Sequence, residues 1–430
     1  MKALLAGKER RAVLLSVLLA LVARLGYLLI SGRLFHPETW EYESIALSIL
    51  AGQGARYEHN GAVFMAFSTS ALYPFLNAAV YWLTAHSQTA MALVQVALST
   101  LTVWLVVGIG TRAVGLAAAV TAGVLYALHG PSLVYVGKLH PLVLDTLFTA
   151  LVLFGTVLLR ERRSASAAAF AGLMFGLGIL TRPSLLVLLP LALGWALWRR
   201  FDARSLARAG VVVVIATAVL LPWTLRNVAV LGAPVFVAST SAENLWIGNN
   251  PAATGGSLTP QGEVVVQLAS PQLQAAISQA DEMGRYRLYE RSALEYIAAD
   301  PTGFLKRTAD KLLYFWWFNP ASGLEYPARW IAIYRVLYTL YLLTALVGVW
   351  SVARSGTGRE KGLAILLIGS MALLSVGQSV FYVEERHRWL IEPFLLLYSG
   401  RGCVVMFRLV QRSMFGRLAL GAAAIAPSRN

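Results

Sequence analysis

Residues 11–30 read RAVLLSVLLALVARLGYLLI, an apolar run long enough to cross a bilayer, whose hydrocarbon core of roughly 30 Å takes about 20 helical residues. No A-x-A-like cleavage site follows it, so the run is expected to remain as a first helix rather than leave as a signal peptide. Segments of the same kind recur at 87–110, 115–131, 141–159, 165–180, 184–198, 209–225, 330–350, 362–381 and 389–407. The reading is an all-α, polytopic membrane helical bundle of about ten transmembrane helices, a single membrane domain over 1–430. Two long stretches interrupt it, at 31–86 and 227–329.

Composition points the same way. Hydrophobic residues make up 57% of the chain and charged residues 13%, with a mean hydropathy of +0.63, where a soluble domain carries roughly 25% charged residues. The lone cysteine, Cys403, excludes an intramolecular disulfide framework and a multi-cysteine metal site, and reads as membrane packing. A net charge of +15 invites a nucleic-acid reading. The basic residues, however, are dispersed in short loops between apolar runs, so no nucleic-acid partner is expected.

The same loops orient the chain by the positive-inside rule. With the amino terminus cytoplasmic, that side collects Lys2, Lys8, Arg10, Arg11, Arg112, Arg160, Arg162, Arg163, Arg199, Arg200, Arg204, Arg208, Arg354, Arg359, Lys361 and the arginine-bearing tail. Of the 21 acids only Glu9, Glu161, Asp202 and Glu360 fall there. Both termini are therefore expected in the cytoplasm of a multi-pass protein of the plasma (inner) membrane, with both long stretches outside.

The first outer loop, 31–86, holds a helix-like segment, 38–51, and an amphiphilic one, 72–85, whose Tyr73, Tyr81 and Trp82 suit an interfacial helix. The second, 227–329, opens on Pro, Gly, Asn and Thr-rich sequence and turns amphipathic and helical over 278–299. It closes on Tyr314-Phe315-Trp316-Trp317-Phe318, read as an interfacial aromatic belt.

Chemistry, if the chain performs any, belongs to the outer side. In His36-Pro37-Glu38-Thr39-Trp40-Glu41-Tyr42-Glu43 three carboxylates crowd six residues. On a helix Glu38, Glu41 and Tyr42 would share a face, and like charges so close raise one another's pKa toward that of a general base. The plain alternative is a solvated acidic loop. Ionisable groups at outer helix ends form a second set: Lys138, His140 and Asp145, then Arg182, Arg226 with Asn227, and Glu384, Glu385, Arg386, His387, Arg388 and Glu392. Their cations could converge on one anion, a lipid phosphate at this depth. The alternative is snorkelling or internal pairing, Lys138 with Asp145 or Arg388 with Glu392. No zinc spacing, Walker loop or G-x-G-x-x-G is present, so no metal ligands are assigned, although the carboxylates are of a kind that could hold a divalent cation.

Five short motifs, in order and on one side of this topology, resemble those of the membrane-embedded GT-C glycosyltransferases, the superfamily of protein O-mannosyltransferases and lipid A aminoarabinose transferases. They are Pro37-Glu38 with Tyr42, Ile45-Ala46 and Gly52-Gln53-Gly54; Leu180-Thr181-Arg182-Pro183; Pro222-Trp223-Thr224-Leu225-Arg226-Asn227; Glu243 to Asn250; and Arg386-His387-Arg388 leading to Glu392-Pro393. The resemblance covers most of the chain. It implies a glycosyltransferase that moves a sugar from a polyprenyl-phosphate donor to a lipid, glycan or protein acceptor at the outer face, with an outer-loop carboxylate as base. That role passes to Glu38, where the family usually has Asp; the departure makes Glu41 the alternative base and admits an inactive relative. Tyr42, Lys138, His140, Arg182, Arg226, Asn227, Arg386 and Arg388 are the substrate-binding candidates. Rival readings are a diphosphate-dependent polysaccharide polymerase or ligase, and a secondary transporter, which should show paired broken helices in two related halves.

Overall fold

A computed structural model of the protein describes residues 7–59, 61–68, 70–199, 201–321 and 326–425. Lys2 and Arg200 of the basic series lie outside the described residues. The helices, numbered along the chain, are α1 (Gly7–Ile30), α2 (Glu41–Leu50), α3 (Leu72–Thr84), α4 (Gln88–Ala113), α5 (Leu116–Ala127), α6 (Gly130–Tyr135), α7 (Leu142–Arg162), α8 (Ala165–Thr181) and α9 (Leu188–Leu197). They continue with α10 (Ala203–Leu231), α11 (Ser241–Gly248), α12 (Pro271–Gln279), α13 (Glu282–Ala299), α14 (Pro301–Trp316), α15 (Ala328–Ser355), α16 (Gly358–Ser379), α17 (Glu385–Trp389) and α18 (Glu392–Ile425). A small antiparallel hairpin, β1 (Tyr57–His59) and β2 (Ala62–Phe64), interrupts the first loop.

Among the described residues seven helices are long and apolar enough to cross a membrane: α1, α4, α7, α10, α15, α16 and α18. The other three expected crossings fall on shorter apolar helices, Leu116–Ala127, Ala165–Thr181 and Pro183–Leu197. Twelve residues of α5 rise about 18 Å, well short of the core thickness. α1, α4 and α18 pack along this short helix.

Glycine sets the closest helix contacts. A Cβ at Gly402 of α18 would collide with the Thr344 carbonyl of α15, one at Gly348 with the Tyr398 carbonyl, and one at Gly400 with the Ala118 carbonyl of α5. Small residues that let backbones meet are the usual means of joining helices in lipid, where apolar burial supplies little drive. At the end of the bundle away from residue 38, Glu161 of α7 binds both Arg112 of α4 and Arg359 of α16, so basic loops expected on one side do converge.

The two interfacial segments of the first loop are helices, α2 and α3. Glu43 fastens them together, accepting from Tyr81 Oη at 2.6 Å and Gln88 Nε2 at 2.8 Å. Trp82 and Leu83 of α3 are exposed, as an interfacial helix requires. The helical stretch expected at 278–299 is broken at Asp281, whose side chain caps α13 by accepting from Gly284 N. The aromatic run is less of a belt than expected: Phe315 and Phe318 are buried, and Phe318 lies under Arg388.

Candidate active site

The site is assembled where the chain leaves α1 and enters α7. Residues 137–139 run alongside Glu38 as a parallel bridge: Glu38 N donates to Gly137 O at 2.9 Å, and Leu139 N to Glu38 O at 2.7 Å. Glycine is needed at 137, since a Cβ there would lie 2.9 Å from Cβ of Arg33. Glu38 is thus an extended residue ahead of α2 and does not share a helical face with Glu41. Its backbone groups are spent on the bridge instead of a first helical turn.

The bridge brings two side chains together. Lys138 Nζ lies 3.0 Å from Glu38 Oε1, and Arg33 lies 3.4 Å from Oε2. A third of the Glu38 side chain remains exposed (33%), whereas Lys138 is nearly enclosed. Rings of Trp40, Tyr135 and Tyr326 surround the ammonium at 5.0–5.6 Å, an arrangement that holds a cation while shielding it from water. Beneath, Gln95 donates to the Lys138 carbonyl at 2.8 Å and accepts from Tyr73 Oη at 2.9 Å, fixing the loop to α4 and α3.

Next to this pair stands His140, with Trp40, Tyr42 and Tyr135 set edge-on at 5.1–5.6 Å. Its Nδ1 accepts from Leu142 N at 3.1 Å. Burial holds its pKa well below the ordinary imidazole value, and the charges of Arg386, Lys138 and Arg182 push it lower still, so the ring is neutral. His387, whose Nδ1 accepts from Glu384 N, is depressed by burial and by Arg182, Arg386 and His140. The mutual influence places Lys138, His140, Arg182, Arg386 and His387 within one electrostatic neighbourhood.

Glu41 opens α2 beside them. Burial raises its pKa, against its own backbone hydrogen bond, Tyr42, Arg386 and His59. Desolvation, not the neighbouring glutamates, is therefore what shifts it. Arg182 reaches Asp145 Oδ2 at 3.4 Å, Gln378 Oε1 at 3.3 Å and Ser184 Oγ at 3.2 Å. Arg386 pairs with Glu384 at 2.6 Å. Lys138 thus pairs with Glu38, leaving Asp145 to Arg182.

Three sequence candidates occupy other places. Arg226 donates to Met65 O at 2.6 Å and Asn227 Oδ1 at 3.0 Å, over the Trp223 ring; Asn227 donates to Val235 O at 3.0 Å. They tie the first outer loop to the start of the second, next to buried Glu282, which accepts from Met65 N, Ala66 N and Ser239 Oγ. Arg388 is fully buried, bound to Glu392 at 2.9 Å, to the Phe315 and Trp317 carbonyls and to Tyr334 Oη. Among the described residues no three His, Cys, Asp or Glu side chains converge as a metal site. Arg33, Gln95, Tyr135, Tyr326 and Gln378 belong to the site without a sequence signal; Arg33 and Tyr135 are near neighbours of Glu38 and Lys138 in the chain, and the other three are reached only through long-range packing.

Comparison with known proteins agrees with this architecture. The dolichyl-phosphate-mannose-protein mannosyltransferase family matches residues 68–225. The oligosaccharyltransferase of Archaeoglobus fulgidus in its apo form superposes with a TM-score of 0.58 at 13% identity, over 98% of this chain and 52% of that one. The same archaeal enzyme, AglB, in complex with an inhibitory peptide and a dolichol-phosphate gives 0.57 at 12% identity, over 99% and 52%. ArnT of Cupriavidus metallidurans bound to undecaprenyl phosphate gives 0.41 at 15% identity, over 91% and 77%. No curated protein matches by sequence. The chain spans about half the length of the oligosaccharyltransferases it resembles. Its fold is that of these archaeal oligosaccharyltransferases over the half of their length that it matches, and the protein is integral to the membrane.

Proposed function

We propose that the protein is a glycosyltransferase that takes a sugar from a polyprenyl-phosphate donor and passes it to a lipid, glycan or protein acceptor at the extracytoplasmic face. The observation that carries this reading is the Glu38–Lys138 bridge, a part-exposed carboxylate held 3.0 Å from an enclosed ammonium. The family match over residues 68–225 and the dolichol-phosphate named with AglB support it.

In the mechanism Glu38 accepts the acceptor's hydroxyl proton as the oxygen attacks the anomeric carbon; the bond from that carbon to the phosphate oxygen breaks, and the phosphate leaves as an anion. Direct displacement inverts the anomeric configuration. Lys138, Arg182 and Arg386 stabilise the charge that grows on the phosphate, in a site whose aromatic walls keep the dielectric low. Neutral His140 and Tyr42 orient the donor, and Glu41 is the second carboxylate, facing Arg386. Arrival of the phosphate draws Lys138 away from Glu38 and frees the carboxylate for proton transfer. Both termini lie in the cytoplasm, and loops 31–86 and 227–329 cover the site within a single membrane domain. Arg226, Asn227 and Arg388 serve by holding the loops that carry the site.

The test is transfer of labelled sugar from a panel of polyprenyl-phosphate sugars to membrane lipids and proteins, with Glu38→Gln and Lys138→Gln alongside wild type. Transfer by wild type that is lost in both variants supports the reading. Transfer solely from diphosphate-linked glycans replaces it with the polymerase or ligase, and uptake without covalent transfer replaces it with a transporter.

A further inference from the structure

A second site lies at the far end of α7, about 25 Å of helix away from Asp145. There α7, α9 and α10 leave a shallow open cleft with about 20 Å³ of enclosed space. Its polar lining is Arg160, Arg163, Arg208 and Ser205, over an apolar floor that includes Leu193 and Leu197. Among the described residues no carboxylate lines it. Of the two nearby acids, Glu161 is taken by Arg112 and Arg359, while exposed Asp202 caps α10 through Ser205, at 2.9 Å to N and 3.1 Å to Oγ, and lies within the field of Arg208.

The arginines are held in place by the fold. Arg160 donates to the Trp195 carbonyl and lies 4.7 Å over the Trp195 ring, itself fixed by a bond to Gly362 O at 2.6 Å. Arg163 takes the left-handed conformation that ends α7, with φ 51°. Arg208 projects from the second turn of α10, whose N-terminal end adds a favourable field for an anion.

We propose that this cleft binds the headgroup of an anionic phospholipid in the leaflet opposite to the transfer site. Guanidinium groups recognise phosphodiester oxygens in a fork geometry, and basic pockets between spanning helices suit such headgroups. The apolar floor selects the source: an acyl-bearing phosphate uses it, and free phosphate has no use for it. The site is independent of the transfer chemistry.

Native mass spectrometry of the full chain, released from nanodiscs of equal phosphatidylglycerol and phosphatidylcholine, measures the preference directly. Wild type is expected to retain phosphatidylglycerol over phosphatidylcholine. The preference should fall about tenfold or more in R163Q/R208Q, fall in part in each single variant, and persist in R204Q, which changes an exposed arginine near the cleft that does not line it. No preference in wild type, an undiminished one in R163Q/R208Q, or an equal loss in R204Q would overturn the proposal. Displacement of the lipid by millimolar inorganic phosphate would overturn the lipid assignment in favour of a soluble anion, and its failure to displace supports the lipid.

Discussion

Asp145 meets Arg182 through one carboxylate oxygen, Oδ2, at 3.4 Å, while its Oδ1 has no hydrogen-bond partner. Asp145 is buried in α7 at 3% exposure, so the pair is a buried ion pair with one side unfilled. Removing one partner strands a charge, which typically costs about 3–5 kcal/mol. Arg182→Gln should therefore lower thermal stability in detergent sharply, and adding Asp145→Asn should restore much of the loss. Strict additivity in that double-mutant cycle would show that the two residues do not depend on one another.

The base assignment separates two carboxylates of different surroundings. Glu38→Gln should reduce kcat about a hundredfold or more, the usual contribution of a general base. Glu38→Asp should also lose about a hundredfold, because the carboxylate retreats by a methylene from a position set by the 137–139 bridge. Glu41→Gln should raise KM more than it lowers kcat. The reverse pattern, with Glu41→Gln nearly inactive and Glu38→Gln active, would make Glu41 the base.

pH dependence of stability carries two opposed signs. Burial and the charges of Arg386, Lys138 and Arg182 depress the His140 pKa in the folded protein. Its contribution is complete above the unfolded value near 6.5 and is lost as pH falls toward the depressed value, because the unfolded chain takes up the proton first. Burial raises the pKa of Glu41, so its contribution is complete below the ordinary value of 4.5 and is lost as pH rises through the raised one. Unfolding temperatures between about pH 4 and 8 should show His140→Gln protected on the acid side and Glu41→Gln protected on the rising side. Profiles parallel to wild type would mean that neither group titrates differently on folding.

Arg226 was read from the sequence as a phosphate ligand, yet its side chain is spent on Met65 O and Asn227. Arg226→Ala should accordingly loosen the contact between the two outer loops. The measurable outcome is faster proteolysis near residues 61–68 with donor binding retained. Loss of donor binding at unchanged protease resistance would return Arg226 to the phosphate.

The bundle was legible because apolar length and loop charge are local signals, and every expected crossing lands on an apolar helix. The site was legible only in part. Glu38, Lys138, His140, Arg182 and Arg386 stood out as charges at helix ends, but their pairing did not, since Lys138 meets Glu38 through a backbone bridge spanning a hundred residues. Glu38 was expected on a helix with Glu41 because spacing alone cannot reveal that its backbone bonds leave for another segment. Partners such as Gln95 and Tyr326 carry no pattern at all; only packing brings them to Lys138.

Arg388 was read from the sequence as a substrate-binding candidate, with pairing to Glu392 as the alternative, and the buried network around the two gives the most stringent stability prediction. Glu392 accepts from Arg388 Nε at 2.9 Å and from Tyr334, and contacts His129 Nε2 at 2.5 Å; all four residues are buried. Through Arg388 the network also holds the carbonyls of Phe315 and Trp317, and so fastens the end of α14 to α15, α17 and α18. Arg388→Ala takes the arginine from a buried carboxylate, still held by Tyr334 and His129, and from two carbonyls, and about 3–5 kcal/mol should be lost. Arg388→Met with Glu392→Leu removes both charges together and should recover stability. Because α17 also carries Arg386 and His387, that double variant should fold yet transfer poorly, with KM for the donor raised more than kcat is lowered. A double variant with wild-type KM would show that the network supports the fold without setting the site.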